Sequence, residues 1–268
     1  MDIVLGVLVT LALLVLLMRG WLSTARRTPS SPQAVPIPAS YRALLQQHVP
    51  FYRKLDQTQQ TNFENRLMHF LATTRITGVN TNVEEMDKIF VAASAVIPIF
   101  GFPDWEYRNL NEVLLYPDSF NHDFEQQGSD RSILGMVGDG AMNRVMILSQ
   151  HELQQAFLNK TGKTNTAIHE FTHLVDKSDG AVDGRPEFVA GQEYIRPWLQ
   201  LMQAEIKRIL EGESDINPYG ATNEGEFFAV VSEYFFERPD LLQDKHPELY
   251  RLLTKIFRQD PDKAATSI

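Results

Sequence analysis

The 268-residue sequence predicts an α+β fold, mainly helical with a small β-sheet, preceded by one N-terminal transmembrane helix. Three observations predict it. Apolar residues recur at helical spacing through most of the chain after Thr164. Two short apolar runs, Asn111–Tyr116 and Arg144–Leu148, flank a glycine-bearing segment in the middle. Ile3 to Met18 is an apolar run without a charge.

That first run spans roughly 24 Å as a helix, and Trp21 and Leu22 extend it. The chain begins Met-Asp and no small-x-small site follows closely, which favours a retained anchor over residues 1–23 rather than a cleaved signal. Arg19, Arg26 and Arg27 on its C-terminal flank predict a single-pass membrane protein with its body in the cytoplasm. Residues 24–39 hold Ser, Thr and four prolines without an apolar period, so they read as a linker. A single domain is expected over 40–262, with a short tail at 263–268.

Residues 28–268 keep 22 of the 25 basic residues but 33 of the 34 acidic ones. So acidic a body offers no footprint for a phosphate backbone, which excludes nucleic acid as a partner. Cysteine is absent, so no disulfide framework bears on the compartment.

Tyr41–His48 and Asp56–Leu71 have helical periodicity, separated by Val49-Pro50. Asn82–Phe90 starts another helix and runs into Val91–Phe100, where Pro98 leaves the state open. Gly135–Gly140 lacks the Lys-Ser/Thr and helix start of a phosphate loop, and reads as a bulged hairpin. Helices are expected over Asn165–Asp176, Glu193–Glu211, Glu226–Phe236 and Pro247–Phe257.

The first of these holds His169-Glu170-Phe171-Thr172-His173. Histidines one turn apart present both imidazoles on one face, where they can share an ion, and Zn2+ suits neutral imidazole. Glu170 beside them can carry a proton from an attacking water to a leaving amine, which points to hydrolysis of peptide bonds. By contrast, His151-Glu152 is followed by Gln155 and lacks the second histidine. A third ligand is needed. Asp176 and Asp179 stand three and six residues past His173, but no glycine turns the chain back there, although Asp179 stays conceivable. Glu226 opens the apolar stretch Phe227–Val231, where a buried carboxylate needs a partner that a metal supplies. Glu233 lies two turns on, on the same face, and with Asp176 is a candidate to orient the ligands. Glu224, before Gly225, ranks below Glu226. Tyr219 could set its hydroxyl over the metal, though spacing alone leaves an exposed turn tyrosine equally open.

Taken together, the blocks from His169 to Asp176, Asp179-Gly180-Ala181, Asp183-Gly184-Arg185-Pro186, Tyr219 to Asn223, Glu226 to Phe236 and Pro247 to Pro261 resemble the zinc metallopeptidases related to Mlc titration factor A. The likeness runs from about Ser40 to Pro261. It implies a zincin-type domain with one Zn2+ held by His169, His173 and Glu226, Glu170 as base and Tyr219 as oxyanion partner. It also implies an edge strand at Arg144, Val145 and Met146 pairing with an extended peptide or protein substrate; whether the activity is of aminopeptidase type or cuts internally stays open. The family's soluble members also suggest a second role, sequestering a transcription regulator. Glu224 and Gly225 depart from the Pro and Ala common there, and the family's soluble members lack the N-terminal apolar segment.

Overall fold

The computed structural model describes residues 37–127, 130–138, 142–159, 161–189 and 192–262. The expected anchor at 1–23, the tail at 263–268 and all but the last three linker residues lie outside the described residues. Among the described residues, no helix is long and apolar enough to cross a membrane. The expected single-pass membrane location is therefore corrected. The most apolar described helix, Glu85–Ile99, has 15 residues against the roughly 20 that a bilayer core requires, and it is buried in protein.

The chain enters through helices α1 (Ala39–His48), α2 (Pro50–Lys54) and α3 (Gln57–Thr73). Pro50 occupies the first turn of α2, where a missing N–H costs nothing, so the expected break becomes a short helix of its own. Asp56 and Gln59 close a reciprocal capping box at the start of α3. Glu64 of α3 takes a bidentate pair of bonds from Arg42 (2.7 Å each) and a third from the Tyr52 hydroxyl (2.6 Å), tying the three helices together.

Strand β1 (Arg75–Gly78) leads into α4 (Glu85–Ile99), capped by Glu84 rather than Asn82. This helix is buried on almost every side, as a central helix should be. Pro98 is tolerated in its last turn; Gln259 Nε2 donates to the Ile97 and Pro98 carbonyls, and Arg66 to that of Ile99. Strands β2 (Glu112–Tyr116), β3 (Gly135–Val137) and β4 (Val145–Ser149) complete a mixed sheet of order β1-β2-β4-β3. β1, β2 and β4 run parallel, while β3 turns back antiparallel on β4.

The remaining helices are α5 (Gln150–Leu158), α6 (Thr166–Asp176), α7 (Ile195–Leu210), α8 (Glu224–Glu237), α9 (Pro239–Lys245) and α10 (Pro247–Phe257). α8 supplies Phe227, Phe228 and Phe235 to the core, where Trp198 and Phe257 meet them at ring-centroid distances of 5.6–6.0 Å. The fold is thus α+β with a helical majority.

One polar knot binds the C-terminal helices. Asp215 accepts bonds from Lys163 (2.6 Å), Lys245 (2.8 Å), His246 (2.9 Å) and the Tyr234 hydroxyl (3.0 Å). The buried His246 also faces Glu205 at 3.4 Å, and Glu205 itself takes a bond from Arg208. The nearby Glu205 carboxylate raises the His246 pKa above its ordinary 6.5, burial opposes the rise, and Asp215 adds to it. A folded-state pKa above the unfolded one stabilises fully below pH 6.5 and loses that contribution as pH rises through the raised value. We therefore expect the thermal unfolding midpoint to fall on this alkaline limb, and His246→Gln to flatten it, as read by melting curves across pH.

Candidate metal centre

α6 starts at Asn165, whose side chain caps the Ile168 N–H at 3.1 Å and whose own N–H donates to Glu233 Oε2 at 2.7 Å. The first turn of α6 is thereby pinned to α8. His169 and His173 project from one face of α6, and Glu226 approaches from the first turn of α8, where Asn223 caps its N–H.

The three groups converge. His169 Nε2 stands 3.0 Å from His173 Nε2 and 3.0 Å from Glu226 Oε2, and His173 Nε2 is 3.4 Å from the same carboxylate oxygen. Ligand atoms held about 2.0–2.1 Å from a tetrahedral Zn2+ stand roughly 3.3 Å apart, so the three edges fit one ion. On the far side of the ring, His169 Nδ1 is 2.7 Å from Glu233 Oε1. A carboxylate only accepts, so Nδ1 carries a proton toward Glu233, which leaves Nε2 as the nitrogen that would ligate a metal. Burial disfavours charge on His169, but the bonds to Glu226 and Glu233 outweigh it and push the pKa up to about 10. Those same bonds from both histidines pull Glu226 to about 2 against the effect of burial. The carboxylates around His169 thus favour positive charge at this point, whether a proton or a cation carries it.

Glu170 lies 6% exposed in the same pocket, its pKa raised by burial while the neighbouring histidines pull the other way. Tyr219 sits on a 3₁₀ turn (Pro218–Ala221), 53% exposed, with its ring centroid 6.0 Å from that of His169. Burial and the charges of Glu226 and Glu170 raise its pKa, which keeps the phenol a donor.

The other sequence-predicted residues fall differently. Asp179 is exposed and accepts the Ala181 N–H (3.0 Å), away from the ligand set. Asp176 is fully buried and grips the Gly184 N–H at 2.8 Å, shaping the loop after α6 rather than bonding a histidine. Burial lifts its pKa to about 7, opposed by that N–H. Glu224 lies within α8 as its first residue, and is only partly exposed. Gly184 itself has φ +70°, and a Cβ there would stand 2.6 Å from the Glu224 carbonyl oxygen. Gly184→Ala is accordingly expected to lower stability by about 1–3 kcal/mol, seen as a reduced melting temperature.

The expected edge strand is corrected. Val145 and Met146 belong to β4, which is paired on both sides: Met146 lies opposite Val113 of β2 and Val137 of β3. Arg144 precedes the strand, and its carbonyl accepts the Asn111 N–H at 2.8 Å. The hairpin covers β4, leaving β3 as the outer strand beside α6. Two contributors were missed by the sequence reading, Asn165 and Gly135. An Asn three residues ahead of Ile168 is a capping signal; a glycine in a three-residue strand carries none.

Residues 22–258 match the family described as glucose-regulated metallo-peptidase M90. "Uncharacterized protein slr2042" of Synechocystis sp. is 30% identical over 239 residues, covering 84% of this chain and 86% of that protein. Mlc titration factor A of Pectobacterium atrosepticum is 30% identical over 179 residues, 62% of this chain and 65% of the relative. The protein of the same name from Klebsiella pneumoniae subsp. pneumoniae is 26% identical over 228 residues, 80% and 84%. The chain belongs to the glucose-regulated metallo-peptidase M90 family.

Proposed function

We propose that this chain is a zinc-dependent peptidase acting on extended peptide or protein segments. The observation that carries the reading is the convergence of His169, His173 and Glu226 on one point with the buried Glu170 beside them. Two imidazoles and one carboxylate are a common catalytic Zn2+ set that leaves a position open. A Zn2+ bound there supplies Lewis acidity toward the scissile carbonyl. Glu170 takes the proton of the attacking water and returns it to the leaving amine. Tyr219 donates its hydroxyl to the developing oxyanion, and Glu233 with Asn165 holds the His169 ring in register.

Substrate docking follows from the sheet. The Ser149 N–H bonds the Leu134 carbonyl (2.8 Å) and the Gly138 N–H bonds that of Val145 (2.9 Å). Alternation along an antiparallel ladder then turns the backbone groups of Gly135 and Val137 outward, where a peptide can add as a further strand.

Removing the metal with a chelator is expected to abolish peptide hydrolysis, and one equivalent of Zn2+ to restore it. Peptides with free and blocked N-termini separate aminopeptidase trimming from internal cleavage in the same assay. Undiminished cleavage by metal-free protein would sink the reading. The relatives named Mlc titration factor A support a second role, binding a regulatory protein. A regulator that binds equally well to chelated and zinc-loaded protein would establish that role apart from hydrolysis.

A further inference from the structure

Gly135 occupies the middle of a tight contact. A Cβ placed on it would lie 2.7 Å from Glu170 Cγ, 2.7 Å from Thr166 Cγ2 and 2.8 Å from Glu170 Oε1. No side-chain carbon fits at such distances, so something would have to move. Thr166 and Glu170 are four residues apart on α6 and share the face turned to β3. Neither backbone yields easily. β3 is stitched to β4 on its inner edge, and α6 is held by Asn165 through Glu233 and its own cap. The part free to give is the Glu170 side chain. The backbone of Gly135 is thus the wall against which that carboxylate rests.

We propose that Gly135 is a positioning residue for Glu170. The missing side chain leaves the space that the carboxylate fills, and the bare backbone fixes where it points. The inference rests on the reading of Glu170 as base. Gly135 also allows so short a strand to lie so close to the metal helix: with both backbones held, any larger residue would have to displace the Glu170 side chain.

The test uses the zinc-loaded full chain and one unstructured peptide substrate. Gly135→Ala is expected to lower kcat by roughly 10²-fold, the cost of about 1 Å of misplacement, with one metal per chain retained. KM should stay within about two-fold, because the outward backbone groups are unchanged. Added to Glu170→Gln, the same substitution should cost nothing further, since the group it displaces no longer takes a proton. Gly135→Ala/Thr166→Ser, which removes one of the crowding atoms, should regain part of the lost kcat. Should Gly135→Ala not fold, the double variant becomes the starting point for the comparison with and without Glu170→Gln. Equal losses in both Glu170 backgrounds would overturn the proposal. So would loss of metal, or a rise in KM alone. Full turnover by Glu170→Gln would instead defeat the base assignment, an outcome separate from any seen at Gly135.

Discussion

Glu170→Gln should lower kcat by roughly 10²–10⁴-fold, the usual contribution of a positioned acid–base group. The change keeps the volume of a side chain that is 6% exposed and wedged against Gly135 and Thr166. It removes only the ability to take and return a proton. Metal content should remain at one ion per chain, because His169, His173 and Glu226 are untouched. Stability should hold or rise, since a neutral amide costs less to bury than a carboxylate. Metal analysis and melting curves run beside the kinetic assay distinguish this outcome from a general defect. Wild-type turnover in the variant would remove proton transfer from Glu170 altogether.

Glu226→Ala should strip the site of its metal. It leaves two imidazole nitrogens 3.0 Å apart without their anionic third ligand. Loss of an outer partner such as Glu233 typically weakens metal binding by about 10–100-fold, so loss of a direct ligand should exceed that range. The helix itself should survive, because the Asn223 cap bonds the residue-226 backbone N–H and not its side chain. Dialysis of wild type, Glu226→Ala and Glu233→Ala against a competing chelator, followed by metal analysis, gives the ranking. Equal retention by wild type and the Glu226 variant would eliminate it as third ligand.

Much of this geometry is legible in the chain. Helix α10 begins and ends where Pro247 and the apolar period place it, because proline at the first helical position and a strong amphipathic stripe act together. His169 and His173 share a face by spacing alone, and Glu226 with Glu233 are two turns apart on one helix, so a single packing of α6 on α8 brings all four together. The sheet was harder. β4 carries the apolar run, but the outermost position belongs to Gly135-Met136-Val137, a segment too short for any period. Which strand ends up at the edge is decided by pairing across the hairpin, and no local pattern encodes that. The role of Asp176 was hidden for a similar reason, its partner being a backbone N–H eight residues away in a loop. The apolar segment at the start of the chain invited a membrane reading that none of the described helices carries.

The bonds that His169 and Asn165 both donate to Glu233 have a consequence for how the metal arrives. Small zinc modules are unfolded until the ion binds, so uptake and folding are one event. Here His169, one of the three proposed ligands, is already oriented by Glu233 and Asn165, and the phenylalanine-rich core is built from residues outside the ligand set. On the proposed reading, metal uptake is therefore docking onto a pair of helices that is already packed. The metal-free chain is accordingly expected to stay folded, which a melting curve recorded in chelator checks. On that reading, such a protein stands as a metal-free reserve whose activity tracks the supply of the ion rather than the synthesis of new chains.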